Sequence, residues 1–217
     1  MLSSIIQTIC VGVIPLIFAV TLHEVAHGWA AYALGDSTAY HQGRLSLNPI
    51  VHVDPVGTIL VPGCLFLLGA MTGGSVPIFG WAKPVPVNPW AFRGNRDAKF
   101  ALTAVAGPLC NLLQAVFWVL FFKLLLSLGL QEPFFYEVAR AGISINLMLM
   151  AFNLIPIPPL DGGHILYWLL PQALRGLMHK FEEYGRWILL ALIVTGALSY
   201  FVYPFLRFGE WVLQLII

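Results

Sequence analysis

Long apolar stretches alternate with short polar segments along this chain, and four of them are long enough to cross a membrane. They cover residues 2–34, 100–130, 138–159 and 187–206. A helix needs about 20 mostly apolar residues to span the hydrocarbon core of a bilayer. The pattern therefore predicts an all-α polytopic membrane protein with four transmembrane helices.

A fifth apolar stretch, residues 55–82, carries no charge but is divided by prolines and glycines. It either spans the membrane or re-enters and turns back. Turning back requires that protein or a water-filled cavity shelter its backbone groups, because lipid cannot hydrogen-bond them. In that arrangement eight of the eleven Lys and Arg residues share one face, against seven if the stretch crosses. The positive-inside rule therefore favours turning back.

The composition supports a membrane location and excludes several other classes of protein. Hydrophobic residues make up 59% of the chain and charged residues 10%, whereas soluble domains have about 45–50% and about 25%. The length of 217 residues is that of one domain, and we expect residues 1–217 to form a single integral membrane domain. A formal net charge of +1 provides no basic field for binding nucleic acid.

The first apolar stretch contains the sequence His23-Glu24-Val25-Ala26-His27. In a helix the i, i+4 spacing puts His23 and His27 on one face, so both imidazoles can bind a single Zn²⁺. Glu24 can then reach a water molecule on that metal. The alternative is a polar helix face inside the bundle, bonded to neighbouring carbonyls. HExxH therefore indicates a metal site that requires further ligands.

A catalytic zinc needs a third protein ligand and an open position for water, and Asp161 is the strongest candidate. It is one of two acidic residues that lie well inside the apolar stretches, where a bare charge is costly. The preceding run, residues 153–160, contains three prolines that prevent a continuous helix and free backbone carbonyls. The alternative is that Asp161 caps a helix that begins near Gly162.

Together, HEVAH on an early apolar helix and NLIPIPPLDGG on a later one resemble the site-2 proteases, which are intramembrane zinc metalloproteases. The resemblance covers most of the chain and is greatest to the compact branch without PDZ or CBS domains. It implies that His23, His27 and Asp161 bind one Zn²⁺ per chain. It also implies that Glu24 is the general base that activates zinc-bound water.

The same resemblance assigns roles to three further polar residues. Asn111, which follows Gly107 by four positions, is implied to steady the substrate carbonyl or the developing oxyanion, the alternative being a helix–helix hydrogen bond beside Gly107. Asn153 is expected either to stabilise a loop or to contact substrate. His164, three residues after Asp161, is expected either to support the metal site or to pack against its neighbours, without binding the metal.

The expected activity is hydrolysis of peptide bonds in or near the transmembrane segments of other membrane proteins. A helical substrate must unwind first, and the broken segment 156–159 offers backbone edges for an extended peptide. The rival interpretations are a metal transporter or sensor, because buried His and Asp also line ion pathways, and an inactive relative that binds membrane helices. The expected location is the bilayer of a prokaryotic cell (inner) membrane, and the oligomeric state is left open.

Overall fold

The computed structural model describes residues 2–72 and 80–216, and every regular element in this part of the chain is a helix. The all-α prediction is therefore confirmed. Short helical turns at Pro49–His52, Pro55–Leu60 and Pro89–Ala91 connect the longer elements. The α-helices are α1 (Leu2–Ala33), α2 (Thr38–His41), α3 (Val61–Thr72), α4 (Arg96–Ser127), α5 (Pro133–Asn153), α6 (Asp161–Leu169), α7 (Gln172–Val194) and α8 (Leu198–Ile216).

Three helices are long and apolar enough to cross a membrane: Ile9–Ala33 of α1, α4 and α5. The predicted fourth span is divided between α7 and α8, which meet at an angle of 69° and count as one broken span or a re-entrant pair. Gly196 adopts a φ of 71° just after α7, and this left-handed conformation ends a helix. The described residues therefore hold three spans, or four if the bent pair crosses.

The helices α1, α4 and α5 form the central bundle, with α4 antiparallel to its two neighbours. Lys99, near the start of α4, donates to the Leu34 carbonyl just beyond α1, whereas Asn111 further along α4 reaches the Ala19 carbonyl inside α1. Further along α4, Asn111 contacts Asn146 of α5 and the Trp118 ring packs on Gly142 of α5, so α5 also runs antiparallel to α4. These contacts bring α1 and α5 to the same flank of α4.

The two ends of the fifth apolar stretch lie side by side. The turn Pro55–Leu60 continues into α3, and residues 73–79 of the stretch lie outside the described residues. Where the chain returns, the Trp81 amide donates to the Gly57 carbonyl at 3.1 Å, and the Lys83 amide donates to the His52 carbonyl at 2.9 Å. The chain therefore leaves this stretch beside the point where it entered, which is the arrangement that the positive-inside rule favours.

An extended segment, residues 80–88, then lies beside the end of α1, and we call it the cover segment. Two buried charged side chains hold its backbone. The Arg44 guanidinium donates to the Lys83 carbonyl at 2.7 Å, and the Asp36 carboxylate accepts from the Asn88 amide at 2.6 Å. Charge-assisted hydrogen bonds of this length are stronger than neutral ones. The cover segment is therefore fixed in place over the middle of the bundle.

Candidate metal centre

Two imidazole nitrogens and one carboxylate oxygen converge on one point between α1, α4 and α6. The Nε2 atoms of His23 and His27 lie 3.1 Å apart, and they lie 3.4 and 3.3 Å from Oδ2 of Asp161. Ligand atoms bound tetrahedrally to zinc at its usual bond lengths are about 3.3–3.4 Å apart. The three donors therefore form one face of a tetrahedron of the size that zinc requires.

The burial of Asp161 supports the same conclusion. Its Oδ2 is buried and has no hydrogen-bond partner among the described residues, and a buried charge without a partner is costly. A bound cation would supply the missing interaction. The donor set, two imidazoles and a carboxylate, is one that zinc prefers, with a fourth position left for water or substrate. The residues present therefore fit a catalytic zinc.

Each histidine is held by its other ring nitrogen. Nδ1 of His27 lies 2.8 Å from the Thr103 carbonyl, and because a carbonyl can only accept, this nitrogen carries the proton. Nδ1 of His23 lies 2.6 Å from Oδ1 of Asn111. Such partners fix the tautomer and the orientation of metal-binding imidazoles. Both Nε2 atoms are consequently left with a lone pair for the metal.

Gly107 lets the α4 backbone approach both imidazoles. A Cβ atom at this position would overlap the rings of His23 and His27. The close approach brings Thr103, one turn earlier, within reach of His27, and Asn111, one turn later, within reach of His23. A single residue without a side chain thus allows one helix to support both ligands.

Asp161 is brought to the histidines by the irregular loop 154–160 and by the glycines that follow. A Cβ atom on Gly162 or on Gly163 would overlap the backbone of this loop, so the first turn of α6 packs directly on it. Asp161 is the first residue of α6, and the N-cap position before it is held by Leu160. The structure therefore places Asp161 beside the imidazoles instead of at a helix cap.

Glu24 is held at the same site by the cover segment. One of its carboxylate oxygens, Oε2, accepts from the Val85 amide at 2.8 Å. Glu24, His23, His27 and Asp161 all line one cavity of about 310 Å³. The other walls of this cavity are Pro84, Val85, Val87, Phe100, Thr103, Ala104, Asn153, Pro159 and His164.

Asn111 lies behind His23, away from this cavity. Its side chain is fully buried, and besides contacting His23 it donates from Nδ2 to Oδ1 of Asn146 at 2.9 Å and to the Ala19 carbonyl at 3.3 Å. The helix–helix hydrogen bond considered as its alternative role is therefore present. The oxyanion role that the resemblance implies for Asn111 stays a prediction.

Asn153 and His164 both line the cavity. The side chain of Asn153 donates to the Leu149 carbonyl one turn earlier at 3.0 Å. The ring of His164 makes an edge contact with Phe100, with 4.8 Å between the ring centroids. Neither residue belongs to the group of three donor atoms that could hold a metal ion.

Sequence reasoning missed three partners of the site: the Val85 amide, the Thr103 carbonyl and the Asn146 side chain. The first two are backbone groups, and residue identity carries no signal for them. Asn146 offered a signal, because an amide inside a long apolar stretch is itself costly to bury. The role of Asn146 can be recognised only once α5 is known to pack against Asn111.

These features define a class of protein: a helical membrane protein with a candidate metal site of two histidines and one aspartate, and with a glutamate in the same cavity. The sequence profile of peptidase family M50 matches residues 131–196. The chain is 42% identical over 210 residues to "Putative zinc metalloprotease YwhC" of Bacillus subtilis, with 91% of this chain and 86% of that protein covered. It is 29% identical to "Putative zinc metalloprotease Rip2" of Mycolicibacterium smegmatis, over 87% and 70% of the two chains. No solved structure matches the chain.

The chain belongs to peptidase family M50, the site-2 protease family. It is a zinc metalloprotease and an integral membrane protein. The family resemblance stated from the sequence motifs is thereby confirmed, as is zinc as the cofactor.

Proposed function

We propose that this protein hydrolyses peptide bonds in or near the transmembrane segments of membrane-protein substrates. The observation that carries the proposal is the position of the donor atoms within the bundle. His27 and His23 precede the end of α1 at Ala33 by six and ten residues, which corresponds to about 9 and about 15 Å along the helix. Asp161 and Glu24 line the same cavity, so the reaction takes place below the membrane surface.

The geometry supports the following roles for the protein residues. His23, His27 and Asp161 would hold the zinc, which when bound would supply a Lewis acid for the scissile carbonyl and for water. Glu24, oriented by the Val85 amide, accepts a proton from the attacking water and passes it to the nitrogen of the leaving amine. One C–O bond forms and one C–N bond breaks, so the overall reaction consumes one water molecule.

The hydrogen bonding of a helical substrate limits how it can reach the site. In an α-helix each backbone carbonyl accepts a hydrogen bond from the amide four residues later, so the scissile carbonyl of an intact helix is already occupied. The donors and Glu24 line a cavity whose walls include the cover segment residues Pro84 and Val85, and the peptide must free its carbonyl to reach them. The substrate therefore enters the site as unwound, extended chain.

The decisive experiment separates metal binding from catalysis. The purified protein is placed in liposomes with a fluorogenic transmembrane peptide, and zinc content and hydrolysis are measured for the wild type and for Glu24→Gln. The variant should keep its zinc and lose about 10²-fold or more in rate, because an amide cannot accept the proton. Glu137→Gln, the same exchange at an exposed position of α5, should behave as the wild type. A zinc-free wild type, or equal rates for Glu24→Gln and the wild type, would refute the proposal.

A further inference from the structure

We propose that Asn146 is a positioning residue which, through Asn111, holds His23 in the orientation and tautomer that metal binding requires. This inference rests on the proposed zinc site. It concerns a chain of hydrogen bonds that begins in α5, passes through α4 and ends on the metal ligand in α1.

The donor-to-acceptor direction of this series of hydrogen bonds is set at its α5 end. Nδ2 of Asn146 lies 2.8 Å from the Gly142 carbonyl, which can only accept. The amide nitrogen of Asn146 therefore faces Gly142, and its oxygen faces α4. That oxygen lies 2.9 Å from Nδ2 of Asn111.

The second amide transmits this polarity to the histidine. Nδ2 of Asn111 faces two acceptors, Oδ1 of Asn146 and the Ala19 carbonyl at 3.3 Å. A flipped Asn111 would turn its oxygen toward both acceptors, so the amide has one favourable orientation. Its Oδ1 then faces His23 and accepts the proton on Nδ1 at 2.6 Å. The lone pair of His23 is thereby assigned to Nε2, the atom that faces His27 and Asp161.

Because both amides are buried, the direction of these hydrogen bonds cannot be reversed without leaving a polar group unpaired. Asn111 and Asn146 are both 0% exposed, so solvent does not replace a lost partner, and an unpaired buried amide is costly. Neither residue is among those that line the cavity. Asn146 therefore acts on the site through Asn111 and His23, without touching the substrate.

Zinc affinity tests the proposal independently of activity. The zinc dissociation constant is measured by competition with a chelator for the wild type, Asn146→Leu and Asn111→Leu. Both substitutions keep the approximate side-chain size and remove the amide, and both should weaken zinc binding by about 10–100-fold, as the loss of partners behind metal ligands does. Gln114→Leu is the matched control, because Gln114 is a buried amide one turn beyond Asn111 that donates to the same Ala19 carbonyl at 3.4 Å. This control should keep wild-type affinity.

A rescue variant separates a positioning role from a purely structural one. Asn111→Asp restores an acceptor for the His23 Nδ1 proton, and its second oxygen, when protonated, can donate to Oδ1 of Asn146 as the amide does. This variant should bind zinc more tightly than Asn111→Leu. Equal weakening in Asn111→Asp and Asn111→Leu would overturn the proposal, as would wild-type affinity in both leucine variants. In the latter case a wild type that binds zinc and cleaves peptide would leave the proposed function standing. A wild type without zinc would overturn both proposals.

Discussion

At the scale of single residues, the site depends on both nitrogens of each imidazole. In His23 and His27, Nε2 faces the candidate metal position, and Nδ1 contacts a protein partner, which is a side chain for His23 and a backbone carbonyl for His27. The HExxH motif alone predicts that the two histidines can bind one metal ion. It does not identify the partners of their Nδ1 atoms, because those partners depend on which helix packs against α1 in the folded chain.

The first prediction concerns stoichiometry: the purified protein should bind one zinc ion per chain, and His23→Ala, His27→Ala and Asp161→Ala should each lose it. Each substitution removes one of the only three donor atoms that converge among the described residues, and three protein ligands are the usual number at a catalytic zinc. Metal analysis after gel filtration measures the content. His41→Ala, at an exposed position of α2, is the control and should stay loaded. Full zinc occupancy in any of the three ligand variants would contradict the assignment.

The second prediction concerns the close approach of α4. Gly107→Ala should weaken zinc binding by about 10-fold or more, because the added methyl group overlaps both imidazoles. Gly12→Ala in α1 adds the same atoms where none lie within 4 Å, and it should leave zinc binding unchanged. The chelator competition assay compares the two variants. Equal zinc affinities would show that α4 can move away from the imidazoles without consequence.

At the scale of secondary-structure elements, the sequence predicts spans better than it predicts breaks. Apolar length located α1, α4 and α5 because it reflects the thickness of the bilayer. It did not reveal that Gly196 divides the fourth stretch, since one glycine barely changes the apolar character of a window. Apolar length did not decide whether residues 55–82 span the membrane or turn back, because hydropathy does not show on which side the chain leaves the membrane. The hydrogen bonds from Trp81 to Gly57 and from Lys83 to His52 supply that information, and they join residues distant in sequence.

The third prediction concerns the contact between α7 and the loop before Asp161. A methyl group on Gly185 would collide with the Pro158 carbonyl, so Gly185→Ala should lower stability by about 1–3 kcal/mol, as overpacking typically does. Gly176→Ala in the same helix meets nothing within 4 Å and should stabilise the helix by up to about 1 kcal/mol. Thermal unfolding in detergent compares the two variants. If Gly185→Ala were as stable as Gly176→Ala, α7 would not be fixed on this loop.

At the scale of the whole molecule, the metal centre lies where four separate parts of the chain meet. The middle of α1 supplies His23, His27 and Glu24, and α6 supplies Asp161, while α4 contacts both histidines and the cover segment contacts Glu24. The loops after α1 and before α4 must therefore lie on one side of the membrane. The Asn88 amide on the Asp36 carboxylate joins these two loops directly.

The fourth prediction tests this topology. Single cysteines at Tyr40 and Trp90, which are 56% and 76% exposed, should react with a membrane-impermeant maleimide from the same side. A cysteine at Leu128, 62% exposed just beyond α4, should react from the opposite side. The background carries serine at the three native cysteines, and labelling after permeabilisation controls for reactivity. Labelling of Tyr40 and Trp90 positions from opposite sides would refute the topology and leave the ligand assignment unaffected.

The last prediction concerns substrate choice and follows from the backbone hydrogen bonds that occupy the carbonyls of a helical substrate. If the substrate must unwind, cleavage should depend on the helix stability of its transmembrane segment. Gly costs about 1 kcal/mol and Pro about 3 kcal/mol relative to Ala inside a helix, so replacing such residues near the cleavage site with Ala should slow cleavage. For a Gly→Ala change the full effect corresponds to about 5-fold in rate.

The measurement compares initial rates for parent and helix-strengthened substrates at matched expression and membrane insertion, because a substrate that fails to insert would imitate resistance. The same substitutions placed two turns away from the cleavage site are the control, since they strengthen the helix outside the region that must enter the cavity. Slower cleavage only for the substitutions near the site would mean that local unwinding limits the reaction. Equal rates for all substrates would instead place selection at a step before the peptide reaches His23, His27 and Asp161.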